Sequence, residues 1–174
     1  LTISDEGTVV TLTHTGNTYH GVTSVESGAT LKLGKDNVLG KTSELSIAAG
    51  STVDFGSSSQ TVGTLNSDGQ MISGDTGKLT VTNGGTVSGA NSDFHLEVVL
   101  NGSTDLTLED ADALGDGNLE ISQADTDLVL SGISGTDGAA AEYDNAVSGL
   151  GGIKLSDNAN VAFTGSNTFS GDLM

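Results

Sequence analysis

Carboxylates are the most numerous ionisable side chains in this chain, and their densest group lies near the middle. Four fall within eight positions and two follow shortly, at Glu109, Asp110, Asp112, Asp116, Asp125 and Asp127. Calcium takes about six to eight oxygen ligands, so a calcium site is one hypothesis. The spacing lacks the glycine and the distal glutamate of an EF-hand loop, and the nonapeptide of calcium-binding β-rolls is absent. We therefore predict a solvated acidic turn and no metal site.

A pair of carboxylates could also cleave glycosidic bonds, which requires two carboxyl groups about 5 to 9.5 Å apart across a cleft. Asp54 and Glu120 each lie between two apolar residues, which is an outward-facing position in an alternating strand. Sugar-cleaving sites also tend to carry aromatic platforms, whereas Phe55 and Phe163 occupy inward phases of their strands. The sequence therefore predicts no catalytic residue.

The three histidines, His14, His20 and His95, offer little support for catalysis or zinc binding. His14 and His20 are six positions apart around a predicted turn, and the chain has no Gly-x-Ser-x-Gly elbow, no His-Glu-x-x-His pattern and no cysteine. No phosphate-binding Gly-x-x-x-x-Gly-Lys-Ser/Thr loop occurs either. We predict surface histidines, corner-forming glycines and no cofactor.

The elements that would position these side chains are repeats of one short phrase. Two apolar residues at i and i+2 precede a corner of Gly, Ser, Thr or Asn, and a second such pair follows about eight positions on. Leu45-Ser46-Ile47, for example, leads through Gly50 to Val53-Asp54-Phe55, and similar phrases begin at Leu79, Leu119 and Ile153. Such repetition is typical of a solenoid, in which each coil buries its apolar face only against a neighbouring coil.

The repeat predicts one β-helical segment over residues 1–174. With about 20 to 25 residues per coil, seven or eight coils fit, and at ~4.8 Å per coil they form a rod of about 35 to 40 Å. Residues 131–152 fit the phrase least well, which leaves a looser coil and a projecting loop as equal alternatives. The nearest helix candidate, Glu109 to Leu114, ends at Gly115 after little more than a turn.

Composition narrows the classes of partner. The chain carries 23 acidic and 5 basic residues and a net charge of −18. A phosphate-binding surface needs clustered cations, so nucleic acid and anionic membranes are poor candidate partners. Apolar residues make up only 34% of the chain, which is low for a globular core. Pro is absent, however, and Val, Leu and Ile recur at two-residue spacing, so the sequence predicts an ordered, elongated molecule. We expect no signal peptide within this segment, and it has no apolar run of the ~20 residues that span a bilayer.

One motif occurs near both ends of the chain. Asn17-Thr18-Tyr19-His20-Gly21 is echoed by Asn167-Thr168-Phe169-Ser170-Gly171. Asn tolerates the left-handed conformation that a corner requires, and the aromatic ring can pack against the coil. We therefore interpret the motif as structural. Since the chain begins inside strand-like sequence at Leu1 and stops inside a motif at Met174, we expect it to be part of a longer protein.

The sequence of residues 16–34 resembles the strand repeats of classical (type Va) autotransporter passenger domains. The resemblance continues through Leu45-Ser46-Ile47 and Val53-Asp54-Phe55 to Leu65. These are surface proteins of Gram-negative bacteria. The match is continuous over about residues 10–72 and restarts at 151–173. The resemblance implies a right-handed parallel β-helix with three short strands per coil. It also implies an export signal and a C-terminal outer-membrane barrel, both outside this segment.

The function that the resemblance implies is that of a non-catalytic stalk on the cell surface. It would support adhesion, autoaggregation or biofilm formation, with host-cell or neighbouring bacterial surface molecules, further copies and its own barrel as partners. Three alternatives stay open: a β-helical polysaccharide-acting enzyme, the stalk of a passenger whose catalytic domain lies upstream, and a segment that assists folding of the passenger in the manner of an autochaperone.

Overall fold

The computed structural model describes residues 1–174 and contains twenty short β-strands, all paired in parallel. In chain order they are β1 (Thr2–Ile3), β2 (Val9–Leu12), β3 (His20–Val25), β4 (Thr30–Leu33), β5 (Lys41–Ile47), β6 (Thr52–Asp54), β7 (Gln60–Val62), β8 (Thr64–Ser67), β9 (Gln70–Ile72), β10 (Lys78–Val81), β11 (Gly85–Val87), β12 (Glu97–Leu100), β13 (Leu106–Leu108), β14 (Leu119–Ile121), β15 (Asp127–Ser131), β16 (Ala141–Tyr143), β17 (Val147–Gly149), β18 (Gly152–Ser156), β19 (Val161–Phe163) and β20 (Thr168–Phe169). The only helical element is a 3₁₀ turn at Thr136–Gly138. No helix is long and apolar enough to cross a bilayer.

The strands form three faces of one parallel β-helix. Face A is an eight-stranded sheet in the order β1-β3-β5-β8-β11-β13-β15-β18. Face B contains the sheet β2-β4-β6-β9 and, further along the chain, the pair β16-β19, and face C contains β7-β10-β12-β14-β17-β20. The chain crosses face A once per coil, so it makes eight coils. The predicted all-β solenoid is confirmed, and its strand order is consistent with right-handed winding.

Strand register sets the length of each coil. On face A, Ser46 lies beside Asn66, 20 residues later, whereas Val129 lies beside Lys154, 25 residues later. Coil length therefore varies while the strands of face A stay aligned, because the corners absorb the difference.

The core is one cluster of 33 buried apolar residues that runs through the stacked coils. The i, i+2 spacing explains it, since alternate residues of a strand point to the same side. Val53 and Phe55 are fully buried, and the Phe55 ring meets the Phe94 ring edge-on with centroids 5.5 Å apart. Phe163, predicted to point inward, is only half-buried, because it belongs to the final coil and packs on one side against Tyr143.

Several coils have two strands where three were predicted, because a turn replaces the third. Glu109 to Leu114, the weak helix candidate, lies in such a turn between β13 and β14. Gly115 is required there, since its φ is +55° and a Cβ would clash with the carbonyl oxygen of Phe94.

Buried amide side chains bridge the coils where turns interrupt the ladders. Asn91 accepts a hydrogen bond from Met71 N at 2.6 Å and donates to the carbonyl of Ala113 at 2.8 Å, so it joins three successive coils. Gln60 accepts from Val38 N at 3.1 Å and donates to the carbonyl of Lys35 at 2.8 Å. These contacts satisfy backbone groups that have no strand partner at the turn.

The segment 131–152 keeps the coil path. It contains β16 and β17, and between β15 and β16 the chain makes a short excursion with the 3₁₀ turn at its centre. The side chains of Tyr143 and Asn145 in this coil are buried, and neither the Tyr143 hydroxyl nor the Asn145 Oδ1 has a hydrogen-bond partner.

Substitutions at Val53 and Asp54 test which side chains of β6 point into the core. Val53→Asp places an unpaired carboxylate in the core and should cost several kcal/mol. Asp54→Val removes a partly exposed ion pair to Lys32 and the hydrogen bond from Gly56 N, and should cost much less than Val53→Asp, about 1–2 kcal/mol. Melting temperatures of the two variants provide the measurement, and equal values would contradict the inward assignment of Val53.

A second pair of substitutions tests the buried polar groups. Asn91→Ala leaves Met71 N–H and the Ala113 carbonyl without their partner and should cost about 1–3 kcal/mol for each group that stays unpaired. Tyr143→Phe removes a hydroxyl that bonds to nothing, so stability should stay constant or rise. Denaturant unfolding midpoints compare the two; a larger loss for Tyr143→Phe would refute this account.

Candidate interaction surface

One row of small polar side chains runs along the outer side of face A. Strand register aligns one outward residue from each successive coil, at a spacing of about 4.8 Å. From β3 to β13 this row consists of Ser24, Ser46, Asn66, Thr86 and Thr107. Such a row offers many weak hydrogen-bonding groups at regular intervals and no deep cleft.

Two lysines each pair with a carboxylate of the next coil. Lys32 pairs with Asp54 at 3.2 Å on face B, and Lys78 pairs with Glu97 at 2.8 Å on face C. In both cases the two residues are direct register partners on adjacent strands. The hydrogen bond to Glu97 raises the pKa of Lys78. Because all four side chains are partly exposed, each pair contributes modestly to stability.

A denser network surrounds Lys154 on face A. Its Nζ lies 2.7 Å from Asp127 Oδ2 and 3.1 Å from Asp105 Oδ2, and these hydrogen bonds raise the pKa of Lys154. Asp105 Oδ1 accepts from Asp127 N, and Asp127 Oδ1 accepts from Gly152 N, each at 2.8 Å. One side chain therefore ties together three coils. Sequence reasoning missed this network, since residues 49 positions apart meet only once the register is known.

The acidic cluster forms a corner. Asp110 Oδ1 accepts the backbone N–H of Asp112 at 2.8 Å, an arrangement that stabilises the turn. Asp125 is exposed, and Asp127 belongs to the Lys154 network. No three His, Cys, Asp or Glu side chains in the chain converge as metal ligands would.

Asp54 and Glu120, the two carboxylates considered for glycoside cleavage, do not meet. Asp54 lies in β6 on face B, and Glu120 lies in β14 on face C. Each has a local partner: Asp54 Oδ1 accepts Gly56 N at 2.9 Å, and Glu120 accepts the Ser122 hydroxyl at 3.1 Å. The structure therefore brings no carboxylate pair across a cleft at these positions.

The histidines lie apart. His14 is exposed in the corner after β2, and His20 is exposed at the start of β3. His95 Nδ1 lies 2.5 Å from Asp116 Oδ1 on the next coil, and this hydrogen bond, with the surrounding charges of Asp75 and Asp93, raises the pKa of His95.

The repeated Asn-Thr-aromatic motif bonds to neighbouring coils at both of its occurrences. Asn17 Nδ2 donates to the Val38 carbonyl at 2.7 Å, and the Tyr19 hydroxyl donates to the same oxygen at 3.3 Å. Near the other end, Asn167 Oδ1 accepts from Val147 N at 3.0 Å. The asparagine thus connects successive coils at a corner in each case.

The grooves on the surface are open and polar. The largest, about 600 Å³, lies over the first coils and has one apolar residue, Leu33, among its eight lining residues. Small-molecule sites are usually enclosed and lined mainly by apolar side chains. This groove therefore differs from an enclosed small-molecule pocket.

Charge is distributed unevenly along the rod. Residues 1–78 contain 8 carboxylates and four of the five lysines, whereas residues 79–174 contain 15 carboxylates and Lys154 alone. The later coils thus present a strongly acidic surface, and electrostatic repulsion is greatest there.

Comparisons with known proteins give two similar sequences, both from Escherichia coli K12. The uncharacterized protein YuaQ is 31% identical over 136 residues, which cover 67% of this chain and 10% of YuaQ. The uncharacterized lipoprotein YdeK is 28% identical over 179 residues, which cover 91% of this chain and 13% of YdeK. No family model matches the chain, and no solved structure matches it. The chain therefore spans about a tenth of the length of the curated relatives it matches.

The His95–Asp116 pair predicts a pH-dependent contribution to stability. Because the folded state raises the pKa of His95, its stabilisation is fully present below the unfolded value near 6.5 and is lost as pH rises through the raised folded value. His95→Gln should therefore lower the melting temperature at about pH 6 and have little effect at about pH 9.

His14→Gln is the matched control, because it removes an exposed histidine at a corner. We expect the difference between wild type and this control to be the same at both pH values. A His95→Gln difference that stays constant between the two would show that the ion pair does not stabilise the fold.

Proposed function

We propose that this segment is a rigid, non-catalytic stalk of a surface-displayed autotransporter passenger in a Gram-negative bacterium. It supports adhesion, autoaggregation or biofilm formation by holding recognition surfaces away from the cell. The observation that carries the proposal is the uninterrupted parallel ladder of face A, which passes through all eight coils over one continuous core.

Rigidity follows from that ladder. Each inner strand of face A pairs with a strand on both sides, and the buried apolar residues form one cluster with no break between coils. Bending the rod would open backbone hydrogen bonds and core contacts together. A spacer that must keep its length benefits from this coupling.

The absence of catalysis is also part of the proposal. Asp54 and Glu120 lie on different faces, the acidic corner gathers no metal ligands, and the largest groove is open and polar. These placements favour a structural role over the alternative of a polysaccharide-acting enzyme. A catalytic domain elsewhere in the same protein is compatible with a stalk here.

The proposed location draws on three observations. The strand repeats resemble those of autotransporter passengers, one relative bears the name lipoprotein, and lipoproteins are attached to membranes. The net charge of −18 favours solubility of an exposed rod and disfavours contact with nucleic acid. Partners are then molecules of host-cell or neighbouring bacterial surfaces, further copies of the rod, and the outer-membrane barrel of the same chain.

A deletion in register tests the stalk. Ser46 and Thr86 occupy the same position on face A two coils apart, so removing residues 46–85 should shorten the rod by two coils while the joined strand keeps its register with β3 and β13 on face A. In the full-length protein we expect the shortened form to reach the surface of intact cells and to support weaker cell settling or adhesion than wild type. Antibody labelling of intact cells and a settling assay give the two measurements.

Val53→Asp in the same full-length protein is the control for folding, because it disrupts the core without changing the length. We expect it to reduce surface display itself. Full adhesion by the shortened form would contradict a role for stalk length. Polysaccharide cleavage by the purified segment would support the enzyme, and loss of display by both variants would support a segment that only assists folding.

A further inference from the structure

One segment of the seventh coil leaves the ladder and returns to it. Ser134 pairs with Asn160, and Ala141 pairs with Val161. Asn160 and Val161 are consecutive in the last coil, but six residues separate their partners in the coil before. Residues 135–140, which we call the excursion loop, therefore form an insertion in this coil. The residues on either side of the insertion pair with consecutive residues of the next coil.

The excursion loop has few bonds to the rod. Residues 136–140 are all exposed and form the longest run of exposed residues in the chain. Within the loop, Gly135 N donates to the Ala139 carbonyl and Ala139 N donates to the Thr136 carbonyl, each at 3.0 Å. The contact to the next coil from this loop is the Asn160 amide on the Gly138 carbonyl at 3.2 Å. Opening the loop therefore breaks few of the hydrogen bonds that join the coils.

The side chains of this loop suit a protease better than a receptor. The loop reads Gly135-Thr136-Asp137-Gly138-Ala139-Ala140, and another alanine follows it. High-affinity recognition usually depends on aromatic or arginine anchors, and none is present. Exposed tips with small side chains are, in contrast, preferred sites of proteolytic nicking. Ala139 already has the extended conformation, with φ −67° and ψ 161°, in which proteases bind substrates.

We propose that the excursion loop is a proteolytic processing site, cleaved within Ala139-Ala140-Ala141 by a protease that accepts small apolar side chains. Hydrolysis of one peptide bond consumes one water molecule, leaving a carboxylate on the residue before the cut and an amino group on the residue after it. No other reactant is needed. This inference goes beyond the stalk function and does not depend on it.

The cleaved rod stays assembled because strands before the cut pair with strands after it. Strand β15, before the cut, pairs with β18, after it, through five residue pairs, and β14 pairs with β17 through three. Lys154 adds ion pairs to Asp105 and Asp127 across the same boundary. Cleavage therefore produces two chains that stay in one folded rod.

The chain contains its own control for accessibility. Ala48-Ala49 is the same dipeptide at a corner, but Ala48 N donates to the Val25 carbonyl at 2.9 Å, and the Ala48 carbonyl accepts Ser51 N at 3.0 Å. The bond to Val25 holds Ala48 against the preceding coil, whereas the two backbone bonds of Ala139 both stay within the excursion loop. A protease that recognised only the sequence would cut both places, whereas one that requires a free loop cuts the excursion loop.

The experiment is limited proteolysis of the folded chain with an elastase, which cleaves after small apolar residues. We expect cleavage within Ala139-Ala140-Ala141 at least about tenfold faster than at Ala48-Ala49, identified by intact mass. The cleaved protein should elute as one species in size-exclusion chromatography and separate into two chains only under denaturing conditions.

Two variants keep the test decisive. Deletion of residues 135–140 joins Ser134 to Ala141 and should give a folded, elastase-resistant rod. Ala140→Pro keeps the loop length but should block cleavage within Ala139-Ala140-Ala141. This variant tests the proposal even if the deletion variant fails to fold. Comparable cleavage at Ala48-Ala49, rapid cleavage of the deletion variant, or separation of the two chains under native conditions would overturn the proposal.

Discussion

Parallel pairing between successive coils is the constraint on which the rest of this molecule depends. No coil has two layers of its own to enclose a core, so its apolar residues are buried only when the next coil stacks in register. That requirement explains why the i, i+2 spacing recurs throughout the chain. On the outer side of face A, the same register aligns the serines, asparagine and threonines of β3 to β13 in one row.

Polar and charged groups follow the same constraint. Where a turn interrupts the backbone ladder, buried amides such as Asn91 and Gln60 supply the missing hydrogen bonds. Where carboxylates stack, a lysine lies between them, as Lys154 does between Asp105 and Asp127. With a net charge of −18, the fold contains far more carboxylates than lysines, so the remaining acidic groups lie on exposed surface where water screens their repulsion.

Much of the fold could be predicted from the sequence, because the signal is local. A phrase such as Leu45-Ser46-Ile47 specifies which side chains point inward within three residues, and Val53 and Phe55 are buried as predicted. The contacts between coils could not be predicted in the same way. The Lys154 network and the excursion loop depend on which residues align across a whole coil, and the length of a coil measured on face A varies from 20 to 25 residues.

The direction of the ladder also bears on how the molecule responds to force. Its backbone hydrogen bonds run along the rod axis, so tension applied between the two ends of the chain loads the outermost coil first, while inner coils stay supported on both sides. Detaching one coil of about 20 residues releases about 70 Å of extended chain. A β-helix of this kind therefore yields under load in discrete steps from its ends, so that it absorbs mechanical work while most of its length stays folded.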